Sequence, residues 1–306
     1  MGSQLFKFGL SKDKPLSQQE RATLENDLAK LEMSDAVFNE IRSLIYNLSG
    51  IYFSDRKKDL LEAKVAKRLV SNKISDYEDY ISFLKSHNGR TELKDLFDAI
   101  TINETFFFRS QQQLDAFENI LVPEIISKKS GSTKNVFRIW SAASSTGEEA
   151  YTLAIIILER IKNKYPDVQF QILASDINNS VLESARKGIY KEYAVKNIPA
   201  DIFQNYFTKS DKTYIISDKV KKMVKFVNIN LYDQDQMKSI TSCDVIFCSN
   251  VLIYFDVPSK QKVISFLYNS LNSGGYLFLG DSESLHGVSK EFKLVHLPKA
   301  MAYVKE

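Results

Sequence analysis

The chain has 306 residues, 44% of them hydrophobic and 26% charged, which is enough for two packed domains of an ordinary soluble protein. Lys and Arg total 41 against 38 Asp and Glu, so the formal charge of +3 excludes a strong general attraction to nucleic acid, though not a local patch. No apolar run approaches the roughly 20 residues of a membrane helix, and Cys243 and Cys248 fall in one strand-like run where alternation disfavours a bridge, so a soluble, reduced, cytoplasmic protein is expected.

Residues 1–31 read as a polar arm, with Ser17 placed to cap a short helix over Glu20 to Lys30. From Ser34 the apolar spacing turns helical. Val37, Ile41, Leu44, Ile45 and Leu48 share one face, and Gly50 is placed to end the helix. A second helix is expected over about Asp55 to Val70, where Leu61, Val65 and Leu69 face a core while Lys57, Lys64 and Arg68 form an adjacent cationic stripe. That stripe is either a solvated helix face or a docking surface for an acidic partner. Ser75 then heads a helix through Tyr77, Tyr80, Ile81 and Leu84, and Leu93 to Ile100 begins another, so residues 32–100 are expected to form a small all-α domain.

The period breaks at TINETFFFR, Thr101 to Arg109, where polar residues meet three consecutive phenylalanines. The alternatives for it are a buried joint between domains and a site-forming loop. After it, a helix through Leu114, Phe117, Ile120 and Leu121 leads to Pro123 and a Ser/Gly/Lys linker, which makes residues 101–135 a connecting segment.

From 136 to 306 strands and helices alternate: strand Val136 to Ala142, helix Gly147 to Ile161, strand Phe170 to Ser175, helix Val181 to Arg186, strands Val224 to Asn228 and Val245 to Ser249, helix Lys260 to Leu271 and strand Tyr276 to Gly280. Such alternation implies a largely parallel α/β sheet, here closed by a hairpin of Phe292 to His296 and Ala300 to Lys305. The interruption at about 190–225, with Thr213 to Ile216 extended between Asp211 and Asp218, reads as a small β-containing insertion. It is either a lid or packing element, or a partner-binding one.

The stretch VFRIWSAASSTGEEAY, Val136 to Tyr151, sets the ligand question, because a helix head beside the carboxyl end of a strand offers free backbone N–H groups to a nucleotide-like molecule. Its loop holds one glycine, Gly147, and no G-x-G-x-x-G, which argues against a dinucleotide. The chain contains no P-loop signature either. Glu148 and Glu149 suit the helix dipole, and they also repel a phosphate while welcoming an ammonium or sulfonium. Asp176, which ends the second strand of the α/β unit in LASDI, can accept both hydroxyls of a ribose or can cap the next helix. Together these features point to S-adenosylmethionine, a ligand with a ribose, a cationic centre and no phosphate. In CDVIFCSNVLIYFD, Asn250 can bond its polar groups and Tyr254 can offer a ring face to its sulfur, while core packing explains Val251, Leu252 and Ile253 equally well.

Four segments in this order, TINETFFFR, IWSAASSTGEEAYTLA, LASDINNSVLESARKGIY and FCSNVLIYFD, followed by GGYLFLGDSESL, resemble the chemotaxis receptor methyltransferases of the CheR type. The likeness spans about residues 34–304 and includes GIYFSDRKKDLLEAKVAKRL in the helical domain. It implies a Rossmann-like α/β methyltransferase domain with a small β-subdomain insertion, preceded by an all-α N-terminal domain. Implied cofactor contacts are Asn103, Thr105 and Arg109, then Ala143 and Glu149, Asp176, Asn230 and Leu231 of NINLYD, and Asn250 and Val251. The implied activity is protein-glutamate O-methylation without a metal: glutamates in the cytoplasmic helical region of chemoreceptors become methyl esters and S-adenosylmethionine becomes S-adenosylhomocysteine, in chemotaxis adaptation. A cytoplasmic monomer recruited to membrane-bound receptors, with no nucleic-acid partner, is expected on the same grounds. Ser249 and Lys64, where arginine is common, and Asp281, where histidine is frequent, depart from the family pattern.

A glutamate of ordinary pKa, about 4.3, is ionised at neutral pH, so in-line attack on the methyl needs no general base. Alignment and desolvation carry the rate, and holding two reactants in line contributes on the order of 7–11 kcal/mol. The three histidines, His87, His286 and His296, accordingly lie outside the motifs. Arg109 is expected to orient the incoming carboxylate through its guanidinium fork, and Tyr254 to line the transfer channel. Two alternatives stand beside this reading. One is a methyltransferase acting on another acceptor, such as a nucleic acid or a small molecule; the other is a non-catalytic cofactor-binding signalling protein.

Overall fold

The computed structural model describes residues 32–129 and 135–306, together with 18 and 19; the cap expected from Ser17 and the helix over Glu20 to Lys30 lie outside the described residues. The chain divides into two units, one ending at Ile102 and the other running from Asn103 to Glu306.

The first unit is helical: α1 (Asp35–Ser49), α2 (Lys58–Asn72), α3 (Tyr77–Lys85) and α4 (Gly89–Ile100). The Ser34 hydroxyl caps α1 by accepting the Val37 N–H, and Gly50, at φ 72°, ends it in the left-handed region that a side chain disfavours. Ile41, Ile45, Leu61, Val65, Leu69, Tyr80 and Leu96 close the core, as their helical spacing requires.

Three expectations are corrected here. The cap of α3 is Asp76, whose carboxylate accepts the Asp79 N–H at 2.7 Å, and not Ser75. Helix α4 starts at Gly89, a full turn before Leu93. Lys57 sits in a 3-10 turn, Asp55–Lys57, ahead of α2, and so does not share a helix face with Lys64 and Arg68. Those two cations also hold the unit together: Lys64 Nζ donates to the Ala99 carbonyl at 2.6 Å, and Arg68 donates to both oxygens of Glu92 and to Asp95.

The second unit is built on a seven-stranded sheet of order β6-β2-β1-β7-β8-β10-β9, comprising β1 (Val136–Ala142), β2 (Gln169–Asp176), β6 (Val224–Asn228), β7 (Cys243–Cys248), β8 (Leu271–Leu279), β9 (Phe292–Leu297) and β10 (Ala300–Lys305). The pairs β6-β2, β2-β1, β1-β7 and β7-β8 are parallel, and β10 runs antiparallel to β8 and β9 as the closing hairpin. Cys243 and Cys248, both in β7, are buried free thiols. Strand β8 begins at Leu271, earlier than its apolar run suggested, with a register shift in its pairing to β7 between Cys243 and Val245. The insertion is a three-stranded antiparallel sheet of order β3-β5-β4, made of β3 (Ile189–Lys191), β4 (Phe207–Ser210) and β5 (Thr213–Ile216).

Residues 103–129 belong to this second unit and do not merely connect, because Phe107, Phe117, Leu121 and Val122 are in its core. The helix here does not stop at Pro123. It continues from α5 (Gln111–Ala116) through a π-helical turn, Phe117–Leu121, into α6 (Val122–Lys129). A proline ring clashes with the carbonyl four residues back, and the wider π turn immediately before it relieves that conflict. A second π turn, Ile157–Ile161, prolongs α7 (Glu148–Ile156).

Candidate active site

The chain builds β1, β2 and β6 in one direction and returns to the other side of β1 at β7, so the strand order switches between β1 and β7. Loops leaving neighbouring strands at a switch point diverge, and a crevice opens at their carboxyl ends. The expected site residues gather at the carboxyl ends of four adjacent strands. Ala143 and Glu149 follow β1, Asp176 ends β2, Asn230 and Leu231 follow β6, and Asn250, Val251 and Tyr254 follow β7.

The first loop is tightly wound. Ala143, Ser145 and Gly147 have φ of 60°, 51° and 92°, conformations that store strain and that cluster at working sites. Glycine is required at 147, since a Cβ there would sit 3.0 Å from both Ala185 Cβ and Phe226 Cζ. Three amides of the loop ahead of the helix are already bonded. Ser144 donates to the Ser175 carbonyl at 2.8 Å, Ser145 to Asp176 Oδ2 at 2.9 Å and Gly147 to the Ser144 carbonyl at 3.0 Å. These three amides are therefore not available to a phosphate. Asp176 also accepts the Asn178 N–H at 2.9 Å, but the cap of α8 (Asn179–Lys187) is Asn178, so the capping alternative for Asp176 is set aside. After β6, Asn230 Oδ1 accepts the Tyr232 N–H at 3.0 Å and Leu231 is buried.

The TINETFFFR segment is pinned to this loop and to the insertion. Ser145 Oγ donates to the Asn103 carbonyl at 3.3 Å, the Phe107 N–H to the Ala194 carbonyl at 2.9 Å and the Phe108 N–H to Thr152 Oγ1 of α7 at 3.1 Å. The Phe107 ring meets Tyr190 and Phe207 edge-on, with centroids 4.8 and 5.0 Å away. Its phenylalanines are anchors, and its polar residues Asn103 and Thr105 are only partly buried. Arg109 is exposed, donates through Nη1 to the Glu104 carbonyl at 3.2 Å, and lies over the Phe106 ring at 5.5 Å.

Loss of water around Glu149 pushes its carboxyl up to about 7, against hydrogen bonds from Ser141 (2.6 Å) and Ser249 and the positive charge of Arg109; the negative charge of Glu283 pushes the same way as burial. Burial lifts Glu148 to about 7 as well, although Thr146 Oγ1 donates to both of its oxygens. Burial, then the charges of Glu104 and Glu283, raise the Tyr254 phenol, so it is neutral at physiological pH. Ser144 Oγ is buried with no hydrogen-bond partner among the described residues. Several carboxylates, one guanidinium, three loop amides already bonded and a spare hydroxyl together fit a cationic, hydroxyl-bearing ligand better than an anionic one.

Sequence reasoning missed Glu283, Gly280, Ser141 and the bond from Ser249. Glu283 lies 33 residues from the loop it bonds, and no local pattern reveals such a partner.

A family model described as the CheR methyltransferase SAM binding domain matches residues 103–301, and one described as the CheR methyltransferase all-alpha domain matches residues 36–101. Among curated relatives, chemotaxis protein methyltransferase 2 of Vibrio cholerae is 32% identical over 277 residues, 90% of this chain and 95% of that protein. The chemotaxis protein methyltransferase of Borreliella burgdorferi is 33% identical, covering 89% of this chain and 94% of that protein. The Escherichia coli chemotaxis protein methyltransferase is 32% identical, covering 87% and 90%.

Proposed function

This chain belongs to the CheR methyltransferase family, and from that premise we propose that it methylates glutamate side chains of chemoreceptors, using S-adenosylmethionine. The observation that supports this most is the reach of the likeness: it runs through both units, with relatives named chemotaxis protein methyltransferase matched over about nine-tenths of this chain.

When bound, S-adenosylmethionine supplies a methyl group already activated on a sulfonium. The residues of the chain bind, orient and exclude water. Asp176 is assigned to the ribose hydroxyls and Glu149 to the cationic part of the ligand. Asn103, Thr105, Ala143, Asn230, Leu231, Asn250 and Val251 complete the cofactor surface. Arg109 sits beside that surface, where its charge is felt by both Glu149 and Tyr254. There its guanidinium holds the acceptor carboxylate in line by paired hydrogen bonds. Tyr254, neutral, lines the channel. An ionised carboxylate attacking a sulfonium-borne methyl calls for neither a base nor a metal.

The acceptor is assigned to the cytoplasmic helical region of the receptor and the enzyme to a cytoplasmic monomer recruited there. No helix among the described residues is long and apolar enough to cross a membrane. Of the cationic stripe, Lys57 is exposed and is assigned to an acidic partner, while Lys64 and Arg68 make bonds inside the helical unit.

The test is incubation with methyl-labelled cofactor and chemoreceptor cytoplasmic fragments, followed by alkaline treatment. The expected result is label on the receptor, released as methanol by base. Label on nucleic acid, or cofactor binding without transfer to receptor, would overturn the reading.

A further inference from the structure

Glu283 follows β8 and is 9% exposed, and its carboxylate is spread over backbone N–H groups from two loops. One oxygen accepts from Gly280 and from Asn250, each at 2.8 Å, and the other accepts from Ile253 at 3.3 Å. Asn250 has φ 62°, a conformation a side-chain-bearing residue keeps only when its surroundings impose it. Gly280 closes the other side. A Cβ at 280 would lie 2.8 Å from Glu283 Oε2, 2.9 Å from Asn250 N and 3.0 Å from Asn250 Nδ2, all too close. The next residues, Leu252–Tyr254, form a 3-10 turn, so the backbone that Glu283 grips carries both Asn250 and Tyr254.

The chemistry of the group matters as well as its shape. A carboxylate presents two acceptor oxygens and so serves donors on both loops at once. A glutamine has one acceptor and would turn an NH2 toward a backbone N–H, donor against donor. An aspartate keeps both acceptors but is one methylene shorter.

We propose that Glu283 is a positioning residue of the cofactor site: with Gly280 it sets the left-handed backbone at Asn250 and the turn to Tyr254, without touching the ligand itself. The proposal rests on the reading of the crevice as an S-adenosylmethionine site.

The test uses the full chain and three variants, Glu283→Gln, Glu283→Asp and Gly280→Ala. Affinity for S-adenosylhomocysteine is measured by calorimetry, alongside thermal midpoints and the steady-state constants on a receptor fragment. Glu283→Gln is expected to weaken binding by about 10- to 100-fold, the range for losing a bond to a charged group. KM for S-adenosylmethionine should rise in step, with KM for the receptor fragment unchanged and partial recovery in Glu283→Asp. A folded Glu283→Gln protein with wild-type affinity would overturn the proposal, as would a loss explained wholly by its unfolded fraction. Should Glu283→Gln fail to fold, Gly280→Ala decides: weakened binding supports the clamp and unchanged binding overturns it. No binding by the wild type would overturn the cofactor reading and the proposal with it, whereas equal binding by wild type and variants overturns the proposal alone.

Discussion

Glu92 in the helical unit and Glu149 in the α/β unit are both carboxylates drawn away from water, and their partners could hardly differ more. Glu92 takes two bonds from Arg68 (2.8 and 2.6 Å), one from Asn72 (2.7 Å) and one from the Tyr80 hydroxyl (2.6 Å). The bond to Glu92 in turn holds the Arg68 guanidinium further into its charged form. Glu149 has serine hydroxyls and a share of the Arg109 charge, and forms no ion pair among the described residues. Glu92 is complete as it stands. Glu149 carries an unmet cost of burial that a cationic ligand would relieve, and on the proposed reading this separates a carboxylate that holds a fold from one that serves a site.

The largest effect is expected from Arg109, the cation nearest in influence to Glu149. Arg109→Ala should lower receptor methylation on the order of 100-fold while changing cofactor affinity far less. Equal losses in both, measured by steady-state kinetics and calorimetry, would assign Arg109 to cofactor binding alone.

Next come two variants of opposite sign. Glu92→Ala leaves the Arg68 charge with Asp95 as its remaining partner and should destabilise the helical unit by about 2–4 kcal/mol in denaturant unfolding. Glu149→Gln should instead stabilise the ligand-free protein at pH 8, by about 1–3 kcal/mol, and weaken cofactor binding. A loss of stability in Glu149→Gln would erase the contrast between the two carboxylates.

The sign of the pH dependence follows. Glu148 and Glu149 titrate near 7 in the folded chain and at an ordinary glutamate value, about 4.3, when unfolded. Between those values the folded state holds protons that the unfolded state has lost, so stability falls as pH rises through this window and stays low above it. Thermal midpoints of the ligand-free protein should show that fall, reduced in Glu149→Gln. The smallest effect is expected from Ser249→Ala, which removes one donor from Glu149 and should weaken cofactor binding at pH 7 only a few-fold.

Much of this was legible in the sequence wherever signals are local. Ser34 and Gly50 bracket α1 as their side-chain chemistry dictates, and the alternation after Val136 gives the parallel sheet. The carboxyl ends of strands then collect Asp176 and Asn250, while Ala143 is implied by the family resemblance alone. Some misses are local choices, such as Asp76 rather than Ser75 capping α3, and others are cases where a distant partner decides. Pro123 is absorbed by the π turn just before it, whereas the Ser145 amide is taken by Asp176, 31 residues away, and Arg68 is claimed by Glu92. Spacing along one chain segment carries no record of such partners, which is also why Glu283 stayed hidden in GDSESL.

The most direct measurement is the number of protons released when S-adenosylmethionine binds, obtained by calorimetry at pH 6 in buffers of different ionisation enthalpy, for wild type and Glu149→Gln. If Glu149 must ionise to receive the cation, the wild type should release on the order of one proton more than the variant at this pH. Equal proton release by the two proteins would contradict the role given to Glu149.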